Sequence, residues 1–206
     1  MRPFISIIFF FLTFSAVGQN YPFVKDFVPA TITFNDSTQK AGFIKWNTNQ
    51  NERLRFKPAD KEKVTTYSPS EILGFQVDTL KYKSLFNIEL CAENYPLLGR
   101  TSTLKQSFGQ ILHEGKINIY FVVYHGYEPV SGAGIFPNIV FEKFTGDKDE
   151  YAAYPILIRM KDKKYEKAKE ILYSFFADYP KIVDKIKQYK PQQDFFEIIN
   201  LLKQTL

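Results

Sequence analysis

The chain contains two histidines, His113 and His125, as candidates for acid–base or metal chemistry. Either role requires a carboxylate or a second histidine within reach of the imidazole. His113 is followed by Glu114 at the turn of a predicted hairpin, a position that favours a solvated pair over a catalytic one. His113 is therefore not expected to belong to an active site.

His125 stands in the aromatic sequence Tyr124-His125-Gly126-Tyr127-Glu128, at the end of a predicted central strand. Tyrosines combine an apolar face with a hydroxyl group, so such a rim can line a pocket. The sequence offers Tyr124, His125 and Tyr127 as candidate ligand-binding residues, with ordinary packing as the alternative. A hydrolase or transferase that uses His125 with a carboxylate such as Glu128 is a further alternative.

The remaining motifs for chemistry are incomplete. Asp147, Asp149 and Glu150 suggest a calcium loop, but the glycine and the third oxygen donor that such a loop needs do not follow. The glycines of the segment 131–134 lack the lysine and helix start of a phosphate-binding loop and predict a flexible link. No Gly-x-Ser-x-Gly elbow occurs. These patterns predict no metal and no cofactor, and they favour a non-enzymatic protein.

Cysteine content and charge narrow the class of protein further. Cys91 is the single cysteine, so an intramolecular disulfide is impossible and the fold must depend on packing. Its expected role is that of a small buried apolar residue. The net charge of +5 is scattered and forms no concentrated basic stripe, which argues against a nucleic-acid partner.

The first residues have the composition of a secretory signal peptide. Arg2 precedes an apolar run over residues 4–14, which is too short to span a membrane. The small residues Ala16 and Gly18 predict cleavage between Gly18 and Gln19. No cysteine follows the run to carry a lipid anchor. We expect residues 1–18 to be removed and residues 19–206 to form one domain, exported to the periplasm or secreted, without a transmembrane segment; an uncleaved N-terminal anchor is the alternative.

Period-two alternation dominates the first part of the mature chain and predicts β-strands over residues 28–160. The clearest strand is Arg53–Lys57, where Leu54 and Phe56 are expected to face the core and the three cations to face water. A turn at Glu114-Gly115 predicts a hairpin over 108–124. Residues 91–107 favour a loop or short hairpin.

The period changes to 3.6 near residue 161. Apolar residues recur at helical spacing through Ile171 and Phe176, and a second helix is predicted to start at Asp178-Tyr179-Pro180. A third apolar stripe follows Pro191. Strands followed by helices predict an α+β fold: a curved or barrel-like antiparallel sheet with a C-terminal cap of about three helices over 161–206.

Several segments resemble a group of uncharacterised exported proteins of Bacteroidota. The matching stretches are 41–46, 55–57, 67–75 and 114–120, with a helical end near 178–180. This resemblance implies export, but no activity. It also implies that Asp36-Ser37-Thr38 and Asp78-Thr79-Leu80 are candidate periplasmic O-glycosylation sequences, modified at Ser37 and Thr79.

These observations predict an envelope protein that binds a protein or glycan partner through a sheet face or a rim pocket. A second hypothesis is a carrier for a hydrophobic ligand, with Phe121 and Val123 lining a cavity inside a barrel. The hydrolase that uses His125 is the third.

Overall fold

A ten-stranded antiparallel sheet forms most of the protein. The computed structural model describes residues 25–47, 52–90, 102–128, 132–146, 149–155, 162–188, 199–200 and 202–204. The predicted signal peptide, its cleavage site at Gly18 and Gln19, and Cys91 lie outside these ranges.

The strands are β1 Val28–Phe34, β2 Gln39–Lys45, β3 Leu54–Lys57, β4 Thr65–Tyr67, β5 Ile72–Val77, β6 Leu80–Leu90, β7 Ser102–His113, β8 Ile117–Glu128, β9 Gly132–Phe144 and β10 Asp149–Pro155. Helices α1 Asp162–Phe175 and α2 Pro180–Gln188 follow, and residues 199–200 and 202–204 are helical.

Neighbouring strands in the sheet are mostly neighbours in sequence. The order is β10-β9-β8-β7-β6-β5-β1-β2-β3-β4, so only the insertion of β1 beside β5 departs from a simple meander. Thr31 pairs with Ala41 on one side and with Gln76 on the other. The predicted hairpin over 108–124 is confirmed as β7–β8, and β1–β2 and β9–β10 are hairpins as well. β1, β5 and β6 therefore lie in the interior of the sheet.

The N-terminal strands curl around an aromatic core on one face of the sheet. Trp46, just after β2, makes edge-to-face contacts with Phe75, Tyr82 and Phe108, which come from β5, β6 and β7. Phe75 stacks on Tyr82 with ring centroids 4.5 Å apart. Because β2 is not paired with β7, the contact between Trp46 and Phe108 shows that the sheet bends over this core.

The C-terminal strands curl towards the opposite face. The backbone of β10 approaches that of β6 to within 8 Å, although three strands separate them in the sheet. The second core between them contains Leu85 of β6, Tyr120 and Val122 of β8, and Val140 of β9. The sheet remains open, since β10 and β6 are not paired. An α+β fold with a curved antiparallel sheet and a cap of three short helices is confirmed.

The helices cover the other face of β8, β9 and β10. Phe176, Ile182 and Leu202 pack against Ile119 and Phe141. Lys143 of β9 joins this layer to the sheet: its Nζ donates to the carbonyl oxygen of Phe175 over 2.9 Å, at the C-terminus of α1. A cation at this end also interacts favourably with the helix dipole.

Two segments expected to be irregular are strands. Residues 102–107 belong to β7, and the glycines at 132 and 134 belong to β9. Of the loop or short hairpin predicted over 91–107, the loop alternative was wrong for residues 102–107, and the predicted flexible link was wrong from Gly132 onward. In both cases long neighbouring strands supply a continuous ladder, which overrides the weak strand propensity of glycine and small polar residues.

Two side chains differ in burial from the prediction. Lys57 was expected to face water but is buried, because its ammonium pairs with Asp60 and lies 4.7 Å from the ring centroid of Phe27. Ile171 was expected to face the core but is exposed on α1. Leu172 and Phe175 fill the helix interface without it.

We expect Gly74→Ala to destabilise the fold by about 1–3 kcal/mol, because a close backbone approach occurs there. A Cβ atom on Gly74 would lie 2.1 Å from the carbonyl oxygen of Tyr82, and a backbone atom of a paired strand cannot move aside easily. Urea unfolding measures the effect, with Thr66→Ala on the exposed edge strand β4 as the control. An unchanged midpoint for Gly74→Ala would contradict the close approach of β5 and β6.

Candidate ligand-binding cleft

A buried carboxylate lies at the centre of the curled C-terminal sheet. The side chain of Glu142 is only 3% exposed. Its Oε1 accepts hydrogen bonds from Lys83 Nζ at 2.9 Å and Tyr151 OH at 2.7 Å. Its Oε2 accepts from Asn118 Nδ2 at 2.8 Å, from Lys83 Nζ at 3.0 Å and from the hydroxyl of Tyr120. Both carboxylate oxygens are thus fully engaged.

Strand register and curvature together bring these donors to Glu142. Asn118 and Tyr151 are its direct cross-strand partners on β8 and β10. Tyr120 is two residues from Asn118 and so lies on the same face of β8. Lys83 comes from β6, three strands away in the sheet, and reaches the carboxylate because β6 faces β10 across the curl.

The hydrogen bonds keep Glu142 ionised. Burial by itself raises the pKa of this carboxyl, but the donors Tyr120, Asn118, Lys83 and Tyr151 outweigh burial, so the pKa lies below its ordinary value of 4.5. Burial, and then hydrogen bonding to Glu142, raise the pKa of Tyr120 and of Tyr151 well above the ordinary value. Both phenols therefore remain protonated and able to donate.

Lys83 connects this buried network to the surface, since its side chain is 41% exposed. It lines a cleft of about 440 Å³. The cleft lies where β6, the longer strand, extends beyond the first residue of β5. We name this feature the Lys83 cleft. Its lining includes Thr33, Gln39, Leu73, Gln76, Lys81, Lys83, Phe86, Ile111 and Glu114.

Each lysine of the cleft is paired with a carboxylate. Lys83 pairs with Glu142, and Lys81 Nζ lies 3.5 Å from Glu114 Oε2 across the rim. Among the described lining residues the charged ones are Lys81, Lys83 and Glu114, so with Glu142 behind Lys83 their formal charges sum to zero. Each carboxylate reduces the positive potential that its lysine presents to a ligand.

The rest of the lining combines neutral hydrogen-bonding groups with exposed apolar surface. Thr33, Gln39 and Gln76 supply a hydroxyl and two amides. Leu73 is 45% exposed and Phe86 is 40% exposed, and both face solvent at the cleft. A site of this kind can hold an uncharged polar ligand that also has an apolar face.

The residues proposed from the sequence as a ligand site lie in a different part of β8. Tyr124, His125 and Tyr127 pair with Phe136, Ile135 and Ala133 of β9. Their side chains, and that of Glu128, lie outside the described part of the structure. Whether they form a pocket stays a prediction.

Among the other candidates for chemistry, Glu114 and Glu150 form ion pairs with lysines. His113 was expected to form a solvated pair with Glu114, but it is half-buried at the end of β7. Glu114 pairs with Lys81 and not with His113. Glu150 pairs with Lys143 at 3.2 Å, and Asp147 lies outside the described residues. Within the described ranges, no three His, Cys, Asp or Glu side chains are grouped so as to hold a metal ion.

The two candidate glycosylation residues lie in exposed hairpin turns. Ser37 has a φ of 66° between β1 and β2, where the Asp36 carboxylate accepts a 2.9 Å hydrogen bond from the backbone N–H of Thr38. Thr79 follows Asp78, whose φ is 51°, between β5 and β6. Modification of Ser37 and Thr79 stays a prediction.

Comparison with known proteins assigns no family to this arrangement. No protein-family model matches the chain, and neither the curated proteins nor the solved structures contain a significant match. Among the described helices, none has the length and apolar character needed to cross a membrane.

Sequence reasoning missed Glu142 and the cleft beside it. Glu142 lies in the region where alternation predicted strands, and its ion-pair partner Lys83 is 59 residues away in sequence. One local signal was present: Asn118 and Tyr120 alternate with the apolar Ile117 and Ile119, which is typical of a polar row inside a curled sheet. Asn118 and Tyr120 were not among the predicted site residues.

We expect Glu142→Gln to lower the free energy of unfolding by about 2–3 kcal/mol at pH 7, because the amide replaces a buried acceptor oxygen by an NH₂ group that cannot accept the hydrogen bonds made there. The folded-state pKa of Glu142 is lowered, so its stabilisation is complete above about pH 4.5 and is lost as pH falls further. The difference between wild type and variant should therefore shrink below pH 4.5 in urea unfolding.

The matched control is Glu114→Gln, which removes the exposed pair with Lys81 and should cost less than about 1 kcal/mol. A Glu142→Gln effect as small as this, or one independent of pH between 3 and 7, would contradict the stabilising role of the ionised Glu142.

Proposed function

We propose that this protein is an exported, non-enzymatic binding module that holds a neutral glycan in the Lys83 cleft. The observation that carries the proposal is the pairing of both cleft lysines with carboxylates, beside neutral amides and an exposed phenyl ring. The partner would be a glycan of the cell envelope.

Charge pairing favours a neutral ligand over an anionic one. An unpaired lysine in a partly enclosed cleft would attract phosphate or carboxylate groups strongly. Lys83 is held by the two oxygens of Glu142, at 2.9 and 3.0 Å, so an anionic ligand would meet a carboxylate directly behind the ammonium group. A hydroxyl group, by contrast, can accept a hydrogen bond from the ammonium without disturbing the pair.

The position of the cleft in the sheet favours a glycan over a peptide strand. Extended peptides commonly bind by adding a strand to an exposed sheet edge, where backbone groups are unpaired. Much of the cleft lies on β1, β5 and residues 80–83 of β6, which have paired neighbours on both sides. Beyond Lys83, β6 is paired with β7 alone. Over the paired part, recognition uses side chains: amides for hydroxyl groups, with the ring of Phe86 beside them for the C–H face of a sugar.

The two alternatives from the sequence gain no support from the described residues. Phe121, expected to line the cavity of a lipid carrier, packs against the cluster that faces the helices. The hydrolase hypothesis depends on the side chain of His125, which lies outside the described part. Both stay predictions.

We expect Phe86→Ala to weaken glycan binding at least about fivefold, because stacking on an exposed aromatic ring contributes on the order of 1 kcal/mol or more. An array of neutral and acidic glycans identifies the ligand, and calorimetry measures the affinity. Phe144→Ala is the matched control, since Phe144 is 71% exposed on β9 and is not a lining residue of the cleft. Binding only of acidic glycans or of peptides, or equal affinity for both variants, would contradict the proposal.

We expect the protein isolated from its native envelope to begin at Gln19, because the apolar run over residues 4–14 is a signal h-region. Intact mass and N-terminal sequencing measure this start, and mass increments lost in Ser37→Ala and Thr79→Ala variants would locate the glycans. Cytosolic protein that retains Met1 would contradict export.

A further inference from the structure

The Lys83 cleft continues into a second depression of about 430 Å³ on the same sheet. We name it the β1–β2 depression, and its lining includes Pro29, Thr31, Thr33, Gln39, Ala41, Gln76 and Asp78. Thr33, Gln39 and Gln76 line both features, so the two form one continuous groove. On this basis we propose that the ligand is an extended neutral oligosaccharide that occupies both parts; this inference rests on the function proposed above.

The register of the strands gives the groove its direction and length. Thr31 lies beside Gln76 on β5 and beside Ala41 on β2, and Gln76 lies beside Lys81 on β6. The groove therefore runs across the strands from β6 to β2. Three strand spacings of about 4.8 Å give a span of roughly 14 Å. This span is longer than one pyranose ring and suits a short chain of sugar units.

The chemistry of the second depression agrees with that of the first. Threonine hydroxyls and the Gln39 amide supply neutral donors and acceptors, and Ala41 keeps the surface low enough for a ring to approach. Asp78, directly after β5, is the one ionisable residue among those the structure describes in this lining. Gln76 Nε2 donates to the backbone oxygen of Asp78 over 2.8 Å, which fixes the amide at the boundary between the two parts.

Chain-length dependence of binding tests this inference. The probes are neutral homo-oligosaccharides of one to six units, built from glucose, mannose, xylose or N-acetylglucosamine and titrated by calorimetry into the full-length mature protein. We expect at least about tenfold tighter binding of the tetramer than of the dimer.

Ala41→Trp fills the β1–β2 depression with an aromatic ring that strand positions accommodate. We expect it to reduce tetramer affinity to that of the dimer and to leave dimer affinity unchanged. Thr66→Trp, on the exposed edge strand β4, is the matched control and should change neither. Thr31→Val, which removes one hydroxyl at nearly constant volume, should weaken the tetramer alone and tests the depression even if Ala41→Trp misfolds.

Affinity that does not change with length, or equal weakening of dimer and tetramer by Ala41→Trp, would overturn the extended groove while the single-site function stands. Failure of every neutral probe to bind, together with a correctly folded protein, would overturn the proposed function itself.

Discussion

The carboxylate of Glu142 is the constraint on which the curled half of the sheet depends. Burying an ionised carboxylate costs several kcal/mol unless hydrogen bonds and countercharge replace its hydration. Here the replacement comes from four side chains on three other strands, β6, β8 and β10. The arrangement can form only when β6 and β10 face one another, so satisfying this one group selects the curvature.

The same interaction determines what the cleft presents to solvent. Lys83 would be a mobile surface cation if β6 ended in a flat sheet. Its pairing with Glu142 fixes the ammonium near the Tyr120 ring, 5.7 Å from the centroid, and neutralises it. A structural element of the core thereby sets the electrostatic character of the surface groove, and a neutral groove favours neutral ligands.

Much of the fold could be predicted from the sequence, because local hydrophobic periodicity indicates where strands and helices lie. Alternation located β1, β2, β3 and the β7–β8 hairpin, and the period of 3.6 located α1 and α2. Capping chemistry is local too: Ser68-Pro69-Ser70-Glu71 forms a hydrogen-bonded turn, in which the Glu71 carboxylate accepts from the Ser68 backbone N–H over 2.8 Å.

The site could not be predicted, because its contacts are non-local. Lys83, Asn118 and Glu142 come together only through strand order and curvature, and a single charged residue in a strand normally indicates a solvated face. The sequence pattern indicated Tyr124, His125 and Tyr127 as ligand-binding residues, because their residue types are typical of binding sites. The groove is assembled from Thr, Gln and Ala, residue types that carry no signal of their own.

A double-mutant cycle on Lys83→Met and Glu142→Gln tests the central claim most directly. The single variants and the double variant are compared in their free energies of unfolding at pH 7. A partly buried pair, in which Lys83 Nζ contacts both oxygens of the buried Glu142, predicts a coupling energy of at least about 1 kcal/mol that is only partly screened by salt. A coupling energy near zero would contradict the claim that this pair holds the curled sheet together and sets the charge of the cleft.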